Sequence, residues 1–164
     1  MNTTDARARW RRLLRRSGTL GVAACLLAAT PGRAQLNAVA AGDLAFGRFA
    51  AISTGFVSVG TSGARSSGGG VVLLASAGAP ARFTISDKTP ANASLVYIVS
   101  LPASASISDG ASSMVLTDFV SSPAGAGVLS GGTQVLAVGA TLQVAAGQRP
   151  GNYSGAFHIT IEYQ

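Results

Sequence analysis

The last fourteen residues, GNYSGAFHITIEYQ, carry the pattern that most restricts the fold of this chain. Polar residues stand at even positions, and every large apolar residue of this stretch stands at an odd one: Tyr153, Phe157, Ile159, Ile161 and Tyr163. An alternation with a period of two residues is typical of a β-strand that buries one of its two faces. The pattern therefore predicts a strand over Tyr153–Tyr163.

Short segments with strand character recur through residues 35–164, separated by clusters rich in Gly, Ser, Pro and Asn, and no amphipathic helical stretch interrupts them. Such spacing predicts an all-β sandwich or barrel. An outer-membrane barrel would need strands of about nine to eleven residues with aromatic girdles, and most of these segments are shorter, so we favour a sandwich. The predicted strands are Asp43–Phe49, Phe56–Val59, Val71–Ala75, Ala81–Ser86, Leu95–Leu101, Ser113–Phe119, Gln134–Val138, Thr141–Val144 and Tyr153–Tyr163.

The positive charge of the sequence is confined to its first 34 residues. The whole chain has 12 Lys and Arg against 6 Asp and Glu, a formal net charge of +6. Seven of the arginines precede residue 35, where only Asp5 opposes them, so this segment alone accounts for the +6. Residues 35–164 hold five basic and five acidic residues and are neutral. Because phosphate binding requires a basic surface, we expect no nucleic acid partner.

The basic segment has the organisation of a secretory signal peptide. An apolar run, LGVAACLLAA, follows the arginines, and the small residues Gly32 and Ala34 stand three and one before Gln35. This is the order of a signal peptide with its cleavage site, and the run is too short to span a bilayer. We therefore predict a signal peptide over 1–34, helical if ordered, and one domain over 35–164. The mature chain would have no transmembrane segment and would lie in the periplasm, at the cell surface or outside the cell.

The single cysteine, Cys25, lies in the predicted signal peptide. The exported body would then contain no disulfide, so its apolar core must stabilise it. The sequence VAAC fits a lipoprotein cleavage box, but few apolar residues precede Cys25 and we expect no lipid anchor there. The paired arginines of WRRLLRRSG leave the export route open.

No arrangement of residues is typical of an enzyme. His158 is the only histidine, and it stands on the polar face of the last predicted strand with Glu162 about 13 Å further along. The chain has neither a GxSxG motif nor a phosphate-binding loop. Asp87, Asp109 and Asp118 lie in or beside predicted turns, where Asp usually accepts backbone hydrogen bonds; a sugar or calcium site is the alternative for each. We predict a non-enzymatic protein without a cofactor or a metal.

Three blocks of the sequence resemble a known family. They are LAFGRFA (Leu44–Ala50), SGGGVVLLASAGAPARFTIS (Ser67–Ser86) and LAVGATLQVAAGQRPGNYSGAFHITIEYQ (Leu136–Gln164). Together they resemble the bacterial exported domain DUF4402 and are similar to spore-coat-protein-U-type and chaperone–usher pilus subunits. Pilus subunits typically end with a Gly fourteen residues from the terminus and a penultimate Tyr, positions that Gly151 and Tyr163 occupy here.

This resemblance implies an immunoglobulin-like Greek-key β-sandwich that assembles by strand complementation. In pilus subunits a neighbour's N-terminal extension fills a groove beside the C-terminal strand, and a periplasmic chaperone covers that strand beforehand. Copies of this chain or related subunits, and such a chaperone, would be its partners. The stretch 35–44 would be the donor or the chain's own first strand. The implied interface comprises Leu36, Ala38, Ala40, Gly151, Phe157, Ile159, Ile161 and Tyr163.

The residues leave a second function open. A monomeric secreted or periplasmic β-sandwich could bind a ligand or partner through its loops. Ser121–Gly132 is the candidate segment, because its Gly-rich and apolar-poor composition predicts a flexible loop outside the core.

Overall fold

Ten β-strands and no helix occur in residues 36–89 and 94–164, the residues that a computed structural model of the chain describes. The predicted all-β fold is confirmed. The predicted signal peptide, including Cys25, lies outside the described residues. The strands are β1 (Asn37–Gly42), β2 (Phe49–Val59), β3 (Arg65–Leu73), β4 (Ala81–Ser86), β5 (Val96–Ser100), β6 (Ala105–Ser108), β7 (Ser113–Ser122), β8 (Ala126–Val128), β9 (Thr133–Val144) and β10 (Thr160–Tyr163).

Strand β9 organises the larger of two antiparallel sheets. Ala137 pairs with residues of both β4 and β7, and Leu142 pairs with residues of both β2 and β7. Strands β4 and β2 therefore follow one another along one edge of β9, while β7 lines the other edge. β1 extends this sheet beyond β4, β3 extends it beyond β2, and β6 extends it beyond β7.

The smaller sheet has the order β10-β5-β8 and is also antiparallel. Its inward side chains, Tyr97 and Val99 of β5, pack with Ile85, Leu136 and Val138 of the larger sheet. The two sheets thus form the predicted sandwich. No helix within the described ranges is long and apolar enough to cross a membrane.

Two clusters of buried side chains hold the sandwich together. The first cluster joins β2, β7 and β9 through residues that include Val57, Leu116 and Leu142. The second cluster lies between the two sheets and includes Tyr97 and Leu129, each at most 1% exposed. A fully buried large apolar side chain stabilises a fold by about 1.5–3 kcal/mol relative to an exposed one. The described residues contain no cysteine, so burial of these side chains, rather than disulfides, stabilises the sandwich.

Several predicted strand bounds were wrong. β2 begins at Phe49 rather than Phe56, and β3 spans Arg65–Leu73 rather than Val71–Ala75. Two further errors arise from glycine. The stretch Asp43–Phe49 is not a strand: Gly47 has φ 67°, and only Ala45 forms an isolated bridge before β2 begins at Phe49. The gap predicted near Gly139 does not exist, and β9 is continuous. A Cβ at Gly139 would come within 2.2 Å of the Val59 carbonyl oxygen, so this glycine permits close strand approach rather than a turn.

The prediction that Ser121–Gly132 is a loop outside the core was also wrong. This segment contains β8, and Leu129 within it is 1% exposed and belongs to the second cluster. Gly127 of β8 lies against the ring of Tyr97, where a Cβ would come within 2.3 Å of the Tyr97 hydroxyl oxygen. The glycines of this segment therefore serve packing as well as turns.

Candidate functional site

Strand β1 places two of the predicted interface residues, Ala38 and Ala40, at the edge of the larger sheet. It pairs antiparallel with β4 of the same chain, with Ala38 opposite Ile85 and Ala40 opposite Phe83. All six residues of β1 are exposed. Only Leu36, which directly precedes the strand, is half-buried, and it packs against the second cluster.

Main-chain pairing is therefore the chief attachment of β1. The pairing is irregular between Ala40 and Gly42, where Gly42 lies beside the side chain of Arg82. After this irregularity the chain turns inward, because Leu44 packs against both clusters and Phe46 is buried. The strand thus ends just before Leu44 and Phe46, the first residues after it that pack in the core.

The C-terminal segment crosses from one sheet to the other. Ser154 exchanges two backbone hydrogen bonds with Ser108 of β6, at 2.8 and 3.0 Å, at the edge of the larger sheet. Thr160–Tyr163 then forms β10 and pairs with β5 of the smaller sheet. The predicted strand Tyr153–Tyr163 is therefore regular only over its last four residues before Gln164, since the preceding residues span the gap between the sheets.

The alternating burial predicted for this segment nevertheless holds. Phe157, Ile159, Ile161 and Tyr163 are half-buried and pack against the second cluster, whereas the residues between them are exposed. The ring of Phe157 lies 5.2 Å from that of Phe119 and 6.2 Å from that of Phe83, measured between centroids. Gly151, by contrast, is exposed and lies beside Asp109, whose Oδ2 would be 2.7 Å from a Cβ at this position.

Strand β10 is an edge strand. It pairs with β5 on one side, and no described residue pairs with its other side. After it, the Gln164 backbone N–H donates to the Val96 carbonyl at 3.1 Å. The predicted interface is thus divided between two edge strands, β1 and β10, which belong to different sheets and do not pair with each other. Its remaining residues, Gly151, Phe157 and Ile159, precede β10 in the C-terminal segment.

The two parts meet at Asp87. This residue directly follows β4, whose last residue Ser86 pairs with Asn37 at the start of β1. The Tyr163 hydroxyl donates to Asp87 Oδ2, and the Thr89 backbone N–H donates to Oδ1 at 2.7 Å. Burial raises the pKa of Tyr163 most, because it desolvates the hydroxyl. The hydrogen bond to Asp87 and the negative charge of Asp87 raise it further, to about 12. The neutral hydroxyl is the donor that this contact requires.

Asp87 is the part of the site that sequence reasoning missed. Its place after a strand predicted only a local role, and the Thr89 contact is such a role. Its 7% exposure and its contact with Tyr163, 76 residues away, follow from the packing of the two sheets. No local pattern signals a contact of that separation.

Of the other residues considered for catalysis or ligand binding, none takes part in the two hydrogen bonds to Asp87 described above. His158 and Glu162 are exposed, on the polar face as predicted. Asp109 accepts backbone hydrogen bonds from Ser112 and Ala111 at 2.7 and 2.9 Å, which lower the pKa of its carboxyl, so its turn role is confirmed. Asp118 lies within β7 rather than in a turn, at the irregularity between Thr117 and Val120.

The comparison with known families gives a family and no function. A β-sandwich with exposed strands at both sheet edges is a structural class rather than a function. The family model DUF4402, a domain of unknown function, matches residues 34–163, and the chain therefore belongs to the DUF4402 family. Neither the search of curated proteins nor that of solved structures found a match.

Proposed function

We propose that this protein is an exported, non-enzymatic structural subunit, resembling pilus or surface-coat subunits, that assembles by β-strand complementation. The observation that carries this proposal is the attachment of β1. Its six residues are exposed, and it is attached to the sheet by its antiparallel pairing with β4. A segment held in this way is suited to exchange between copies.

Release of β1 would remove no buried residue from either core cluster. Leu44 and Phe46 hold the chain at the base of the strand, and Leu36 is the only half-buried residue that would be withdrawn. The ladder lost within one copy would be remade with the β4 edge of the next copy. Exchange of an identical element costs little free energy overall, because the same contacts form in both states.

A neighbouring copy's β1 would bind through the main chain and be positioned by Leu36. Backbone hydrogen bonds to β4 would give affinity without side-chain specificity. Leu36 would enter the second cluster near Asp87 and so fix the register, because a shift by one residue would turn it to the outer face.

The exposed edge of β10 supports a chaperone as a second partner. An unpaired edge strand is a site of aggregation during export. A periplasmic chaperone that adds a strand beside Thr160–Tyr163 would cover that edge until assembly. The predicted signal peptide supports the location, which we propose to be the periplasm, the cell surface or the exterior.

Cysteines placed on β1 and β4 test the exchange directly. Val39 pairs with Thr84, and Val39 is 53% exposed, so the pair is reachable by oxidants. Paired residues of antiparallel strands have Cα atoms about 4.5–5.5 Å apart, which a disulfide accommodates. A Val39→Cys protein is mixed with a Thr84→Cys protein, both with Cys25→Ser, under conditions of assembly. We expect a covalent heterodimer on non-reducing gels.

A matched control replaces Thr84→Cys with Val135→Cys. Val135 pairs with Thr84 from the opposite side, so it lies two strands from Val39 and is too far to bridge. Deletion of residues 35–42 should also prevent assembly. On gels, the assembled protein should give ladders of high-mass bands that resist detergent and disappear on heating, and the deletion should remove these ladders. If the mixed single variants give no heterodimer and the ladders survive the deletion, strand exchange is rejected.

The second candidate function is a monomeric secreted or periplasmic binding module. The complete pairing of β1 with its own β4 favours it, because a self-complemented sandwich needs no donor. In that case the Val39→Cys/Thr84→Cys double variant would form only an intramolecular disulfide. Its mass in solution would remain that of one chain at every concentration.

A further inference from the structure

Four hydroxyl side chains form a row across the outer face of the larger sheet. The strand register pairs Ser66 with Ser58, Ser58 with Thr141, and Thr141 with Thr117, so each of β3, β2, β9 and β7 contributes one residue. Neighbouring strands lie about 4.8 Å apart, which makes the row about 14 Å long. The row faces away from the core, because Val57, Val59 and Leu142, which flank it along their strands, are buried.

An aromatic ring and an amide lie next to this row. Phe56 and Gln143 pair with each other two residues away from Ser58 and Thr141, on the same face. Phe56 is 39% exposed. Its ring lies over Gly68, where a Cβ would come within 2.5 Å of Phe56 Cε1. The absence of a side chain at Gly68 thus makes room for the ring, which remains partly exposed.

Asp118 adds a carboxylate at the end of the row. It is the extra residue of a β-bulge in β7 and has φ 49°, the only positive φ at a non-glycine residue within the described ranges. The αL position of such a bulge usually takes Gly. Asp118 Oδ2 accepts from Thr117 Oγ1 at 2.9 Å, and Thr117 Oγ1 accepts from Gln143 Nε2 at 3.0 Å. The polar groups are therefore held in place before any ligand arrives.

Part of the row and Asp118 line an open depression of about 410 Å³, while Phe56, Gln143 and Thr117 lie beside it on the same face. Ser58, Ser66, Thr141 and Asp118 supply its polar wall, and Val120 supplies apolar surface. Arg65 also lines it, but its guanidinium donates to the backbone carbonyls of Arg48 and Ser76 at 2.9 and 2.5 Å. Arg65 keeps its charge, but Asp118 opposes it, so the depression has no net positive charge that would favour an anion.

We propose that this face binds a neutral oligosaccharide. Hydroxyl, amide and carboxylate groups in a shallow cleft match the many donors and acceptors of a sugar chain. The electron-rich face of Phe56 suits the C–H groups of a sugar ring. Sugar hydroxyls donate to Asp118 and accept from Gln143, and Ser66 can do both. Ser58 and Thr141 hydrogen-bond each other at 2.6 Å, so together they offer a ligand one O–H donor and their remaining acceptor lone pairs. This site is independent of β1 and of strand exchange.

Nuclear magnetic resonance of the isotope-labelled full chain tests this site. Cellohexaose, maltohexaose and the fully N-acetylated chitohexaose, all neutral, are added separately, each to about 10 mM, because an open site of this kind binds in the millimolar range. We expect at least one of them to shift the amide signals of β2, β7 and β9 around the hydroxyl row. Thr141→Val, which keeps the side-chain shape, should weaken that binding about fivefold.

Two further variants make the test specific. Asp118→Asn tolerates the same backbone conformation and removes the acceptor charge, so it should weaken binding at least as much. Thr84→Val, on β4 away from the depression, is the matched control and should bind as the original protein does. The proposal is overturned if no oligosaccharide shifts these signals, if the shifts lie elsewhere, or if Thr141→Val and Asp118→Asn bind normally.

Discussion

The Tyr163 hydroxyl donates a hydrogen bond to the Asp87 carboxylate and thereby joins the end of β10 to the end of β4. These strands belong to different sheets, and β1 starts beside the same point, where Asn37 pairs with Ser86. The contact therefore joins the two sheets close to the point where β1 begins. Asp87 is 7% exposed, so the hydroxyl replaces water that this carboxylate would otherwise bind.

Tyr163→Phe should destabilise the protein by about 1–3 kcal/mol, because it removes a donor to a buried charged group and leaves the ring in place. Unfolding in urea measures the change. The matched control is Tyr153→Phe, whose hydroxyl donates to the exposed Arg149 carbonyl at 2.8 Å. A loss no larger than that of Tyr153→Phe would show that the Asp87 contact adds no stability of its own.

The free energy of unfolding should fall as the pH rises from about 10 to about 12. Tyr163 has an ordinary pKa of 10.0 when unfolded, and burial beside Asp87 raises the folded pKa to about 12. Between these values the unfolded chain has lost the proton that the folded chain keeps, so unfolding becomes easier. Stability from this group is complete below pH 10. Tyr163→Phe should flatten the decline in urea unfolding measured across this range, although Tyr97, whose pKa burial also raises, leaves a remainder. An unchanged slope would contradict this assignment.

Leu129→Ala should destabilise the protein by about 2–5 kcal/mol, since it removes a side chain that is 1% exposed in the second cluster. The neighbouring Val128, 48% exposed, is the control, and Val128→Ala should cost less than about 1 kcal/mol. Thermal or urea unfolding distinguishes the two. Equal effects would mean that β8 does not pack as described.

Strand β8 shows why the sequence predicted the all-β fold class better than it predicted the individual strands. Alternation of large apolar residues marks strands such as Ala81–Ser86, whose predicted and observed bounds agree. Strands β6 and β8 consist mostly of Ala, Ser, Gly and single apolar residues, so they carry little contrast between their faces. Their strand character comes from pairing with β7 and β5, which only the folded sheets provide.

The C-terminal segment shows a different limit. Alternation reports which side chains are buried, and it was right for Phe157, Ile159, Ile161 and Tyr163. It does not report whether the backbone is paired, so it could not locate the crossing between the sheets. The contact of Tyr163 with Asp87 and the hydroxyl row of the outer face depend on strand register. Register depends on all the strands of a sheet and on the turns between them, so the local pattern of one segment does not reveal it.

Gly155→Ala should destabilise the crossing by about 1–3 kcal/mol, as overpacking does. A Cβ at Gly155 would lie 2.3 Å from the Ser106 carbonyl oxygen and 3.1 Å from Ile107 Cα, and these β6 atoms cannot move independently. Gly60→Ala is the control, because its nearest neighbour, the Ala64 carbonyl oxygen, lies 3.8 Å away. Urea unfolding of both variants provides the comparison. A Gly155→Ala protein as stable as the control would show that the crossing does not pack on β6.

Two alanines added after Gln164 should separate a partner's use of the C-terminus from its role in the fold. Gln164 is exposed, so the extension should change the free energy of unfolding by less than about 0.5 kcal/mol. Under the proposed function a chaperone holds the terminal carboxylate with basic side chains while its strand covers β10, and charge-assisted contacts of this kind depend on position. The extension displaces that carboxylate and should reduce export and assembly. Tyr163→Ser provides the opposite case, since it removes packing in the second cluster and should lower stability directly. Normal export and assembly of the extended protein would exclude carboxylate capture, and the sandwich itself would be unaffected.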